Sequence, residues 1–235
     1  YYVSNSMVDY NFNDLYEQDG KYYYIKNGQV DKSYTGICKY NGKRYYIENG
    51  VINSQYTGVV ENGGNYLYVT KGIVDENYTA LTYYKNNWYY FDNGSVNWNY
   101  SNLILYNNTW YYIHKGMIHW DYNGVVQYYQ TKYCVKNGEV AWNYTGLAQS
   151  EDGTWYYIKK GVVDYSHSGL IYYNNEWFYV DHGVINWDYC SLVLYDKRWY
   201  YVDHGKINWG YTDLVKYGET WYYVRNGEVD WNFTD

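Results

Sequence analysis

Twelve tryptophans carry most of the recognition chemistry in this 235-residue chain, and all of them fall in two columns of a repeating register. Trp88, Trp110, Trp155, Trp177, Trp199 and Trp221 each open a run of the form Trp-Tyr-Tyr-aliphatic. Trp98, Trp120, Trp142, Trp187, Trp209 and Trp231 form a second column, ten residues after the first. An exposed indole can stack on a sugar ring, and it attracts a quaternary ammonium by roughly 0.5–2 kcal/mol. Asn97, Asn186, Asn208, Asp75, Asp164 and Asp230 stand beside the second column and could hydrogen-bond sugar hydroxyls. The competing role for the indoles is to seal one structural unit against the next. The N-terminal part of the chain bears on that choice. There the two columns read Tyr22 with Lys32, Arg44 with Ser54 and Tyr66 with Glu76, while the aliphatic and glycine columns continue. A fold that persists without the indoles does not need them everywhere, so all twelve are candidate ligand-binding residues.

Other chemistries find less support. Asp181-His182 and Asp203-His204 are acid–imidazole pairs, but both histidines stand directly before a turn glycine and no nucleophile keeps phase with them. A metal shared by His182 and His204 is not favoured, and His114, His119 and His167 read as solvated surface. Cys38, Cys134 and Cys190 occupy three different phases, which gives neither a disulfide framework nor metal-type spacing. With 25 acidic against 18 basic residues and no basic cluster, a groove tracking phosphates is excluded, and with it nucleic-acid binding. No apolar run approaches the roughly 18 residues of a membrane span. The expectation is a non-catalytic module with no cofactor.

The elements that position these columns follow from periodicity. Spacings are 22 residues throughout, apart from one of 23 between Lys132 and Trp155, so about eleven units fill the chain. Glycine recurs from Gly28 to Gly227, often after asparagine, and Asn-Gly supplies the positive φ angles of tight hairpin turns. Proline, which would remove donors from short paired strands, is absent. Aliphatics keep to columns such as Val30 to Val229 and Ile37 to Leu214, too few per unit for a private core but enough for a shared one. The pattern predicts an all-β, elongated solenoid of stacked β-hairpin repeats forming one tandem-repeat domain over 1–235. The chain opens in mid-pattern, which predicts a fragment of a larger protein.

The units, for example Asn87-Trp88-Tyr89-Tyr90-Phe91-Asp92-Asn93-Gly94-Ser95-Val96, resemble the choline-binding and glucan-binding cell-wall repeats of Gram-positive surface proteins. They are also similar to the carbohydrate-binding repeats of clostridial toxins. The resemblance implies a hairpin solenoid on an extracellular or cell-surface protein that binds choline or glycans between adjacent hairpins. Where those families carry a Gly-Trp pair, this chain reads Thr35-Gly36-Ile37 or Thr145-Gly146-Leu147, and the second tryptophan column appears instead. The partner expected is therefore a polysaccharide or cell-wall polymer held on repeated aromatic platforms. Choline at reduced aromatic cages, and a host-protein adhesin or passive spacer, are the alternatives.

Overall fold

The computed structural model describes residues 1–234, which form strands, turns and bends with no helix among them. One repeat shows how the sequence does this. Gly169–Tyr173 and Glu176–Asp181 pair antiparallel, from Gly169 opposite Val180 to Tyr173 opposite Glu176. Asn174 and Asn175 make the turn between them with φ of 49° and 64°, the type I′ geometry that matches strand twist. His182 and Gly183, with φ of 46° and 75°, form a second such turn into the short strand Val184–Ile185. That strand pairs back on Asp181 and Val180. Gly183 is required twice over, because a Cβ there would also stand 2.7 Å from the carbonyl oxygen of Asp164 in the preceding repeat.

The stretch from Lys206 to Tyr211 is divided into a short strand and a bend. Only Lys206–Ile207 is strand. Asn208 Oδ1 accepts the Gly210 N–H at 3.1 Å, and the Tyr211 N–H donates to the Asn208 carbonyl at 3.1 Å. This side-chain-capped bend competes successfully with strand continuation. It lifts the second tryptophan column off the sheet and onto a bend.

The chain forms two compact units, one of Tyr1–Ser101 with Ile113–Ile118, the other of Asn102–Tyr112 with His119 onward. In the first, each six-residue central strand bonds its own opening strand, its own short strand and the short strand of the next repeat, as Asn65–Thr70 does. The second unit repeats the scheme, as in Glu176–Asp181, where Phe178 pairs with Lys206 of the following repeat. The Tyr179 N–H also donates to the Gly205 carbonyl at 2.8 Å, and the Gly205 N–H to the Tyr189 carbonyl at 3.1 Å. Within each unit the ladder advances repeat by repeat and does not return on itself to close a barrel.

The last residue of the Trp-Tyr-Tyr-aliphatic run is the deepest point of the core. Ile47, Val69 and Phe91 in the first unit, and Val135, Ile158, Val180, Val202 and Val224 in the second, are 0 % exposed. Four of them pack on a residue from the repeat before: Phe91 on Val59, Val180 on Leu147, Val202 on Leu170, Val224 on Leu192. Burying each such side chain contributes about 1.5–3 kcal/mol, and that contribution exists only when repeats are adjacent.

Candidate functional site

The two tryptophan columns have different surroundings. Trp110, Trp155, Trp177 and Trp199 are half-buried against core residues of the following repeat. Trp88 is half-buried beside Tyr83 at 5.5 Å between ring centroids, and Trp221 in the last full motif is exposed. In the second column Trp120, Trp142, Trp187, Trp209 and Trp231 are 42–65 % exposed, and only Trp98 is half-buried. The first column therefore seals repeats together while presenting one face. The second has most of its area free.

The tryptophans that come together are not the ones ten residues apart. Trp155 and Trp187 line one cleft of about 230 Å³ with Tyr173 and Phe178. The two indoles are thirty-two residues apart in sequence, one from each of two consecutive repeats. Trp155 meets Tyr173 at 5.8 Å with planes at 61°, and Trp187 meets Phe178 at 6.0 Å and 88°. The same quartet recurs as Trp177, Tyr195, Tyr200 and Trp209, with contacts of 4.8 Å at 61° and 5.8 Å at 77°. It recurs again as Trp199, Tyr217, Tyr222 and Trp231, and as Trp110, Tyr128, Tyr133 and Trp142. In the first unit Tyr66, Tyr84, Tyr89 and Trp98 form it with a tyrosine in place of the first indole. So Tyr66 pairs with Trp98, not with Glu76.

Rings meeting edge to face line a concavity; they do not stack into one flat platform. Such walls attract a cation and exclude water on several sides. Charge nearby differs between clefts. Glu228 lies opposite Tyr200 and is 3.4 Å from Arg198, whereas Lys206 stands 5.0 Å from the Phe178 centroid and 2.6 Å from Glu176. Where Arg44 replaces the first indole, Glu76 replaces the second, and the pair forms a two-pronged ion pair at 2.9 and 2.7 Å.

The polar residues expected to greet sugar hydroxyls are occupied by their own backbone. Asn97, Asn186, Asp75, Asp164 and Asp230 each accept the N–H two residues on, at 3.0–3.2 Å, as Asn208 does. His182 and His204 each bond the preceding aspartate at 2.7 Å within the turn. His167 is not solvated surface: it is half-buried and lies 4.2 Å from the ring of Tyr157, in the column held elsewhere by tyrosine. His119, though exposed, approaches Tyr122 at 5.8 Å. The three cysteines are free. Burial pushes the Cys134 thiol up to about 11. Cys190 Sγ accepts the His204 N–H at 3.3 Å, as Ser168 Oγ accepts that of His182 at 2.9 Å. The grouping of Cys190, Asp203 and His204 within 4.8 Å follows from that turn cap.

Half of each quartet escaped the sequence reading. Tyr173, Tyr195 and Tyr217 end opening strands, while Phe178, Tyr200 and Tyr222 follow the first indole. Their signal was a fixed phase, hidden because tyrosine fills so many others.

The profile of the choline-binding repeat family matches residues 11–31, 33–53, 55–75, 99–119, 121–140, 143–164, 168–186, 188–208 and 210–230. Among solved structures, CbpJ from Streptococcus pneumoniae TIGR4 is 20% identical over 98% of this chain and 90% of its own, with a TM-score of 0.32. Choline binding protein F from Streptococcus pneumoniae is 20% identical over 92% of this chain and 86% of its own, with a TM-score of 0.31. A complex of CbpF with ipratropium gives 16% identity, 94% of each chain and a TM-score of 0.39. No curated protein sequence matches the chain at a significant level.

Proposed function

Because the chain belongs to the choline-binding repeat family, we propose that its aromatic clefts hold the choline headgroups of a bacterial cell-wall polymer. The observation that carries this reading is the cleft of Trp155, Tyr173, Phe178 and Trp187, whose rings meet edge-on around about 230 Å³. A trimethylammonium group is cationic, apolar on its outside and unable to donate a hydrogen bond. It needs aromatic walls and no hydrogen-bond partner; the quartet supplies the walls, and the lysine at the cleft, Lys206, is paired with Glu176. A sugar needs an open indole flanked by free donors and acceptors, and one side-chain oxygen of each flanking Asn or Asp is already taken by its own bend. The geometry therefore favours choline over stacking on glycan rings. The module anchors its polypeptide at the Gram-positive cell surface by gripping a choline-decorated polymer at several clefts.

Retention on immobilised choline, with elution by free choline, tests this. Trp177→Ala and Trp209→Ala each remove one wall of the same cleft. Each substitution is expected to weaken choline at that cleft by about 2–30-fold, the equivalent of one cation–π contact. The β circular dichroism should survive Trp209→Ala, since that ring is largely exposed. Equal retention of wild type on an unsubstituted glucan matrix, insensitive to choline, would instead support sugar stacking.

A further inference from the structure

One cleft departs from the quartet in three of its four positions together. Lys132 stands where the first indole belongs, Ser150 where the strand-ending tyrosine belongs, and Tyr165 where the second indole belongs; only Tyr156 keeps its type. The Lys132 ammonium lies 4.1 Å from the centroid of the Tyr156 ring and donates a hydrogen bond to the Tyr156 hydroxyl. In the next cleft Lys206 is farther from the equivalent ring, 5.0 Å from the Phe178 centroid, and is paired with Glu176 at 2.6 Å. Lys132 instead bonds the ring's own hydroxyl and takes the place of a ligand cation. Resting on the choline-cage reading above, we propose that Lys132 is an intramolecular ligand: its own ammonium fills this cage and closes it to choline.

Two further observations fit. Burial works to lower the Lys132 pKa, yet the contact with Tyr156 and the nearby Tyr165 outweigh it and raise the value, so the ammonium stays charged where it sits. The backbone is also tied here in a way not repeated at any other cleft among the described residues. Val125 of one opening strand and Ser150, just past the end of the next, form an isolated parallel bridge. The turn that follows carries the chain's single extra residue and is held by Asp152, whose carboxylate accepts the Thr154 N–H at 2.9 Å. The Arg44 position departs further, with Asn62, Leu67 and Glu76 at the other three places, so it holds an ion pair and no aromatic wall. At Lys132 a cationic residue in the first column thus removes one cage from those open to choline.

The test is calorimetric titration of choline into wild type and Lys132→Trp, a substitution matching the residue at six equivalent positions. The variant is expected to bind one more choline per chain than wild type; unchanged stoichiometry would overturn the proposal. A second variant guards against a folding defect in the first. Lys132→Ala should lower Tm, and choline should then raise Tm by more than it does in wild type, because the ligand refills the vacated cage. Equal choline shifts in the two proteins would also overturn it. Absence of choline binding to wild type is a separate result, and it would defeat the cage reading itself.

Discussion

At the scale of single residues, the second tryptophan column and His167 show how a repeat assigns meaning to its exceptions. His167 takes a tyrosine position, lies tilted against Tyr157, and its buried Nε2 has no hydrogen-bond partner. Desolvation holds its pKa below the ordinary value, with Asp164 opposing and Lys159 assisting. The unfolded chain therefore binds this proton more readily than the folded one, so stability is complete above an unfolded pKa of about 6.5 and is lost as pH falls below it. His167→Tyr, restoring the residue of neighbouring repeats, should flatten the fall in Tm below that pH; an unchanged Tm profile would show that His167 is not its source. The sequence displayed His167 as an isolated histidine, and isolation in sequence suggested solvent. Its phase, shared with Tyr144 and Tyr189, held the better clue, since a residue in a core-facing column inherits that column's burial.

Elements were more legible than site geometry. The positive-φ turns follow from Asn-Gly chemistry, and even Ser6, where glycine is missing, adopts φ of 63°. The cages were not legible, because their walls come from consecutive repeats and sequence alone suggested pairing within one. Two columns ten residues apart look like partners in a linear reading, but the hairpin stagger brings each first-column indole against the next repeat's bend. Two turn glycines separate local from inter-repeat demands. Gly183→Ala forces a Cβ to 2.7 Å from the Asp164 carbonyl in addition to a left-handed φ, whereas at Gly42 nothing lies within 4 Å. Gly42→Ala should cost about 1–2 kcal/mol from backbone strain alone. Gly183→Ala should cost well beyond that, because backbone cannot yield as a side chain does. Chemical denaturation of the two variants measures the difference, and equal losses would mean the repeats are not in rigid contact at that turn.

For the whole molecule, the account rests on several weak, similar cages acting on one polymer. Single choline contacts of this kind bind modestly, and linking several sites can raise apparent affinity by about 10²–10⁴ without any new contact. The exceptions at Arg44 and Lys132 limit how many cages contribute, so valency is written into the first column. Each of the aromatic quartets proposed to hold choline carries at least one indole, which makes ligand entry directly visible. The most direct measurement is a tryptophan-fluorescence titration of the wild-type protein with choline, run beside one with a soluble glucan oligosaccharide. Choline should produce a saturable spectral change and the oligosaccharide none. A saturable response to the sugar with none to choline, or silence to both, would contradict the claim that these edge-on aromatic clefts are choline cages.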